Sequence, residues 1–143
     1  MSQLETLIKA VSNVDEEARQ GFEFDFQPLS GDVDVVQVTI KDREELPLYI
    51  THSDSQLLCI CYLWDESQVN VAKRADMLDA MLRLNMPMPL SSFGIVQNEE
   101  RGDQYAVFGA MSLSATAEDV ALELATLSDN ALDAIDVMSP YLN

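Results

Sequence analysis

The chain has 143 residues, 48% of them hydrophobic and 23% charged, and this length and composition predict one globular domain that spans residues 1–143. Its 25 acidic residues exceed its 8 basic residues and give a formal net charge of −17, which argues against binding to nucleic acid or to an anionic membrane surface. No apolar run approaches the ~20 residues of a membrane span, and the first residues lack the apolar core of a signal peptide, so we expect a cytoplasmic protein without direct membrane insertion.

The acidic residues continue to the C-terminus, where no lysine or arginine follows Arg101. One interpretation is that this charge only keeps the protein soluble. Another is that it faces a partner with a basic surface, or a polyamine. Charge alone does not choose between these interpretations.

Hydrophobic periodicity predicts a first helix over Ser2–Val11, followed by two antiparallel strands. In Phe22–Gln27 the phenylalanines alternate with polar residues, which is typical of a strand with one buried face. The valines and the isoleucine of Asp34–Lys41 predict the second strand. A change of parity among its first valines predicts a bulge near Val35–Val36.

A third strand is predicted over Leu46–His52, and a polar turn joins it to a fourth over Gln56–Trp64. The fourth strand is apolar on both faces: alternation assigns Leu58, Ile60, Tyr62 and Trp64 to one face and Leu57, Cys59, Cys61 and Leu63 to the other. A strand without a polar face must be covered on both sides. In a short chain we expect the second cover from another subunit, and therefore a homodimer.

A second helix is predicted over Gln68–Asn85, and its expected buried stripe consists of Val71, Ala75, Leu78 and Leu82, with Met77 and Met81 beside it. Two further strands follow the prolines that end this helix, and a last helix begins near Thr116. The element order α-β-β-β-β-α-β-β-α predicts an α+β fold in which helices pack on an antiparallel sheet.

The search for catalytic residues turns on His52, which is the single histidine. It lies in a turn beside Ser53 and Asp54, and three nearly consecutive residues cannot easily place a nucleophile, a base and an orienting group in line. A thiol–imidazole pair of His52 with Cys59 or Cys61 is conceivable across a hairpin, but no pocket is recognisable. We therefore predict no catalytic residue, and a protein that is not an enzyme.

Metal and cofactor sites are also not predicted. The two cysteines lack the further cysteine or paired histidine that a zinc site needs, and they fit small buried residues of a central strand. Asp32 and Asp34 resemble a D-x-D metal motif but lack the additional ligands of a calcium loop. No glycine-rich phosphate loop occurs.

The methionines at positions 77, 81, 86, 88 and 111 fit either a hydrophobic core or an adaptable binding surface. Among them, Met86 and Met88 flank prolines in a loop and are expected to be exposed. The predicted partner-binding residues are Leu57, Leu63, Trp64, Met86 and Met88.

Three segments carry a resemblance to a known family: Met88–Ile95 (MPLSSFGI), Tyr105–Ser114 (YAVFGAMSLS) and Leu124–Ile135 (LATLSDNALDAI). Arg43–Thr51 and Val69–Leu78 agree in the same order. The chain resembles the YjfI-like family of small acidic bacterial proteins of uncharacterised function. The resemblance implies no catalytic residues, but it implies genes encoded alongside PspA-like membrane-stress proteins and amidoligases of the glutathionylspermidine-synthetase type.

The element order is also similar to the type III secretion chaperone-like fold, including the YbjN-type proteins. These are compact α+β domains, often homodimers, that bind other proteins, although a fold does not fix a function. The first hypothesis is therefore a non-catalytic protein-binding or adaptor module linked to a PspA-like envelope-stress system. The second is an accessory or regulatory protein for amidoligase or polyamine (spermidine) metabolism.

Overall fold

One antiparallel sheet of six strands, in the order β1-β2-β3-β4-β6-β5, organises the part of the chain that the computed structural model describes, residues 3–31 and 34–143. In chain order the elements are α1 (Gln3–Ser12), β1 (Phe24–Leu29), β2 (Val35–Ile40), β3 (Leu48–His52), β4 (Leu57–Asp65), α2 (Arg74–Asn85), β5 (Ser92–Asn98), β6 (Gly102–Met111) and α3 (Ala117–Met138). The predicted α+β class and element order are confirmed. Ser2, the predicted start of the first helix, lies outside the described residues.

The hydrophobic core lies between one face of the sheet and the helices. Alternate residues of the strands point into it, and they are Val36, Val38, Ile40, Leu48, Ile50, Leu57, Cys59, Cys61, Tyr105 and Val107. The long helix α3 covers the middle of this face, on β4 and β6, and α1 packs against α3. The Thr116 hydroxyl accepts a hydrogen bond from the Asp119 backbone N–H at 3.1 Å and caps α3, as the sequence predicts.

Strand β4 has a register shift in its pairing with β6, and this shift changes the face on which Trp64 lies. Tyr62 pairs with Ala106, but Trp64 pairs with Tyr105, so Leu63 is the extra residue of a β-bulge. The Trp64 ring stacks on the Tyr105 ring at 5.9 Å inside the helix-covered core. The assignment of Trp64 to the face of Leu58, Ile60 and Tyr62 is therefore wrong.

The pairing of β2 with its two neighbours corrects a second prediction. Val35 and Val36 pair in continuous register with both β1 and β3. The bulge predicted near Val35–Val36 is therefore absent from the described pairing, and Val33, whose parity suggested it, lies outside the described residues.

The second helix buries a different stripe from the one that periodicity predicts. Met77 and Met81 are buried, whereas Val71 is 86% exposed and Leu82 is 72% exposed. The helix also begins later than predicted, at Arg74, after two short 3-10 turns. At its other end the Asn85 side-chain oxygen accepts a hydrogen bond from the Phe93 backbone N–H at 2.6 Å, which ties the helix to β5 and helps to set which stripe faces the core.

Candidate functional site

The sheet face opposite the helices is the most distinctive surface of the described residues. We call its central part the open face, and this part consists of Tyr49, Thr51, Leu58, Ile60, Tyr62, Gly94, Val96, Ala106, Phe108 and Ala110. These residues lie outside the core cluster to which the helices contribute. None of these ten residues is charged, although 23% of the chain is charged, and the charged Asp25 and Asp65 lie farther out on the same sheet face. The sequence predicts that β4 is apolar on both faces, and the residues of its outer face lie here.

Aromatic side chains cover part of the open face. The rings of Tyr49 and Tyr62 pack edge to face, with their centroids 5.9 Å apart. The Phe108 ring lies over Gly94, since a Cβ added at Gly94 would lie 2.9 Å from Phe108 Cε1. Ile60 sits between Tyr49 and Phe108 in register, and its side chain is nearly covered by them. Burial raises the pKa of Tyr62, and nearby Tyr49 raises it further, so this face stays neutral.

The predicted partner-binding residues do not form one surface. Leu57 and Trp64 are buried in the helix-covered core at opposite ends of β4, and Leu63 is half-buried against that core. Met86 is 89% exposed at the end of α2. Met88 is half-buried in the following loop, where it lines an apolar groove with Val137 of α3. The sequence analysis did not select Tyr49 or Phe108 as binding residues. The signal that could have found them is alternation along their own strands, which places both on the same sheet face as the outer residues of β4.

His52 lacks the geometry of a catalytic triad. Its Nε2 lies 3.5 Å from Asp34 Oδ2, while Ser53 Oγ hydrogen-bonds within its own turn, to Ser55 Oγ at 3.1 Å. Asp54 is an exposed residue of the same turn.

The thiols are also placed as core residues. Cys59 pairs with Ile50 while His52 pairs with Leu57, so the strand register does not oppose the imidazole to a thiol. Cys59 and Cys61 are both free and buried, and burial raises the pKa of each to about 12. They are therefore neutral at physiological pH and lack the thiolate character of a nucleophile.

Within residues 3–31 and 34–143, no group of three or more histidine, cysteine, aspartate or glutamate residues is placed to hold a metal ion. Asp32, one half of the predicted D-x-D motif, lies outside this range. Asp34 faces His52 instead.

A cavity of about 560 Å³ is lined by three of the basic side chains, those of Arg19, Lys41 and Arg43. Two of these cations are already paired: Lys41 with Glu23 at 3.2 Å, and Arg43 with Asp129 at 2.8 Å. The acidic residues of the chain thus already neutralise most of this basic cluster. It stabilises the connection between α1 and β1 and leaves little charge for an anionic ligand.

A half-buried polar network connects the turn after β4 with α2 and β6. The Tyr105 hydroxyl donates to Glu66 Oε2 and the Arg74 guanidinium donates to Glu66 Oε1, each at 2.5 Å. Burial is the main cause that raises the pKa of Tyr105 to about 12, and its hydrogen bond to Glu66 adds to it. Because each group already has its partner, the network stabilises the end of the sheet and has no free nucleophile or base.

Comparison with known proteins places the chain among bacterial proteins. Residues 2–142 match the model of a family described as "Uncharacterized protein conserved in bacteria (DUF2170)". The chain is 34% identical over 106 residues to the uncharacterised protein YjfI from two strains of Escherichia coli, and the aligned part covers 73% of this chain and 76% of YjfI. The resemblance to YjfI-like proteins is confirmed.

Two crystal structures share the fold. YbjN from Escherichia coli superposes with a TM-score of 0.67 at 11% identity, over 97% of this chain and 93% of YbjN. An uncharacterised protein from Methanothermobacter thermautotrophicus superposes with a TM-score of 0.62 at 13% identity, over 99% of this chain and 100% of that protein. The predicted similarity to YbjN-type proteins is therefore confirmed at the level of fold.

None of the helices formed by the described residues combines the length and the hydrophobicity that crossing a bilayer requires.

Proposed function

The chain belongs to the DUF2170 family of uncharacterised proteins conserved in bacteria, and on that premise we propose that it is a non-catalytic, homodimeric protein-binding module of the cytoplasm. The single observation that carries the proposal is the open face: ten adjacent residues without a charge, on a chain with a net charge of −17. Uncovered surfaces of this kind mark protein contacts.

A second copy of the chain is the occupant that we propose for the open face. Two copies with a net charge of −17 repel each other wherever their acidic surfaces meet. The open face is a region where two copies can approach without opposing like charges. A two-fold axis would bring Tyr62, Ile60 and Phe108 of each copy together, because a dimer of this symmetry uses the same patch twice.

The binding partner that we propose for the dimer is a PspA-like envelope-stress protein. The resemblance to YjfI-like proteins supports this choice. The exposed apolar side chains on α2 and at its two ends, Leu82, Val71 and Met86, are the surface we assign to that contact, because they remain free when the open face is covered. A purified PspA-like protein is expected to bind the wild-type chain in a pull-down. Loss of that binding in Leu82→Asp with an intact dimer would support this assignment, and undiminished binding would contradict it.

The homodimer is tested by charge substitutions on the two exposed apolar surfaces. Tyr62 is 38% exposed on the open face, so Tyr62→Asp is expected to convert the dimer to a monomer in size-exclusion chromatography with light scattering. Leu82→Asp is the matched control and is expected to remain dimeric. A monomeric wild-type chain would contradict the proposal, and dissociation only in Leu82→Asp would move the interface to α2.

A second candidate function is an accessory role in amidoligase or polyamine metabolism. The observation that favours it is the acidic C-terminal part, in which no basic residue follows Arg101. Spermidine is then expected to raise the melting temperature more than sodium chloride does at the same ionic strength. An equal effect of the two would discard this function.

A further inference from the structure

Helix α3 carries a buried carboxyl group that has no partner. Glu123 is only 4% exposed, and its Oε1 atom is buried without a hydrogen bond from any described residue. None of the ion pairs among the described residues includes Glu123 or Asp119, which lies one turn before it. A buried carboxylate without a donor is costly, and native structures normally satisfy such a group.

The chain leaves space for this carboxyl group at Gly109 of β6. A Cβ added at Gly109 would lie 1.5 Å from Glu123 Oε1, so only glycine allows the carboxyl group to lie there. The same position is 3.1 Å from the Leu90 backbone carbonyl oxygen, which the positive φ of 63° at Leu90 helps to orient. Two acceptor oxygens thus lie beside Gly109, and one of them, Glu123 Oε1, has no hydrogen-bond donor among the described residues.

A cavity of about 440 Å³ opens beside this group, between the end of β6, the loop before β5 and the first half of α3. Its apolar lining is formed by Leu90, Ala110, Met111, Ala115 and Leu122, and its polar lining by Ser112, Ser114, Asp119 and Glu123. The lining therefore combines a hydrocarbon surface with two carboxyl groups, of which one is buried and one is exposed.

We infer that this cavity binds a small aliphatic ammonium compound. Its ammonium group would donate hydrogen bonds to Glu123 and would also be attracted by Asp119 at the entrance, and its carbon chain would pack on Leu90, Met111 and Leu122. An ammonium group has several N–H donors and so supplies the donor that Glu123 Oε1 lacks. A bare Ca²⁺ or Mg²⁺ ion needs about six or more oxygen ligands, more than these two carboxyl groups supply.

This inference does not rest on the protein-binding function, because Glu123 and Asp119 lie outside the open face, which shares the residue Ala110 with the cavity lining. The test is isothermal titration calorimetry at neutral pH with n-butylammonium chloride as the probe. n-Butanol is the uncharged control, and sodium chloride is the ionic-strength control. The wild-type chain is expected to give a saturable heat with n-butylammonium and none with either control.

Two variants make the test specific for Glu123. Glu123→Gln keeps the shape of the side chain and removes its charge, and it is expected to weaken n-butylammonium binding on the order of tenfold or more. Glu118→Gln removes the same charge from an exposed position outside the cavity and is expected to bind as the wild type does.

A melting curve of Glu123→Gln shows whether the variant is folded, so that lost binding is distinguished from lost structure. If it is unfolded, Asp119→Asn replaces it and is expected to weaken binding several-fold. Binding that is absent in the wild type, unchanged in the folded cavity variant, or equally reduced in Glu118→Gln would overturn the inference.

Discussion

At the residue scale, two strand positions require glycine, each because a different side chain lies against the backbone there. Gly94 lies beneath the Phe108 ring on the open face, and Gly109 makes room for the Glu123 carboxyl group on the helix-covered face. The pattern of a glycine inside a strand indicates either a β-bulge or a close approach to the backbone. It does not predict what approaches, because Glu123 is fourteen positions away in the chain.

The substitution Gly109→Ala tests the packing of Glu123. The new methyl group would occupy the place of the carboxyl group, so the free energy of unfolding is expected to fall by about 1–3 kcal/mol, as for other overpacked sites. Gly31→Ala is the control, since a Cβ at Gly31 meets no atom within 4 Å. Urea unfolding of both variants measures the difference. Equal stability of the two would show that Glu123 moves away at little cost.

At the element scale, helix α2 shows why periodicity is ambiguous. It has one apolar stripe with Met77 and Met81 and a second with Leu78 and Leu82. Both recur at helical spacing, so either could be the buried one. The sequence analysis selected the leucine stripe, and the structure buries the methionine stripe.

Alanine substitutions separate the two stripes of α2. Met77→Ala is expected to lower the free energy of unfolding by about 2–5 kcal/mol, because it leaves a cavity in the core. Leu82→Ala is expected to change it by less than about 0.5 kcal/mol, because the leucine is exposed. Chemical denaturation measures both values. A larger loss in Leu82→Ala than in Met77→Ala would restore the orientation that the sequence analysis predicted.

Strand β4 shows that a local hydrophobic pattern can also misassign the faces of a strand. Alternation correctly separates Leu58, Ile60 and Tyr62 from Leu57, Cys59 and Cys61. It fails at Trp64, because the bulge adds one residue and reverses the faces beyond it. A bulge depends on the pairing with β6, about forty residues later in the chain, so the local pattern did not reveal it.

At the scale of the whole molecule, the net charge opposes the association of two copies, whereas the open face favours it. Association of two copies buries an apolar surface, while the net charge of −17 on each copy opposes it. Salt screens the repulsion and leaves the apolar contact in place. The proposed dimer is therefore expected to become tighter as sodium chloride increases.

Light scattering over a dilution series, at low and at moderate sodium chloride, measures this dependence. The dissociation constant is expected to fall as salt rises. A dissociation constant that rises with salt would instead indicate an interface held by ion pairs, which the open face lacks.

The prediction of one domain over residues 1–143 stays a prediction, as do the cytoplasmic location and the partner-binding role of the exposed Met86. The burial of Leu57 and Trp64 within the chain leaves neither side chain for a partner without rearrangement. The partner-binding surfaces that we propose instead are built mainly from residues that the sequence analysis did not select.

The sequence by itself determined the fold class and the order of the elements, because hydrophobic periodicity, caps and turn residues act over a few neighbouring positions. The resemblance of several of its segments to YjfI-like proteins indicated the family. The tertiary structure alone decided which stripe of α2 is buried, where β4 changes face, and that Glu123 lies against Gly109. Each of these depends on contacts between residues far apart in the chain. The candidate surfaces of the protein arise at those contacts, which is why the sequence indicated a binding protein but did not locate its surfaces.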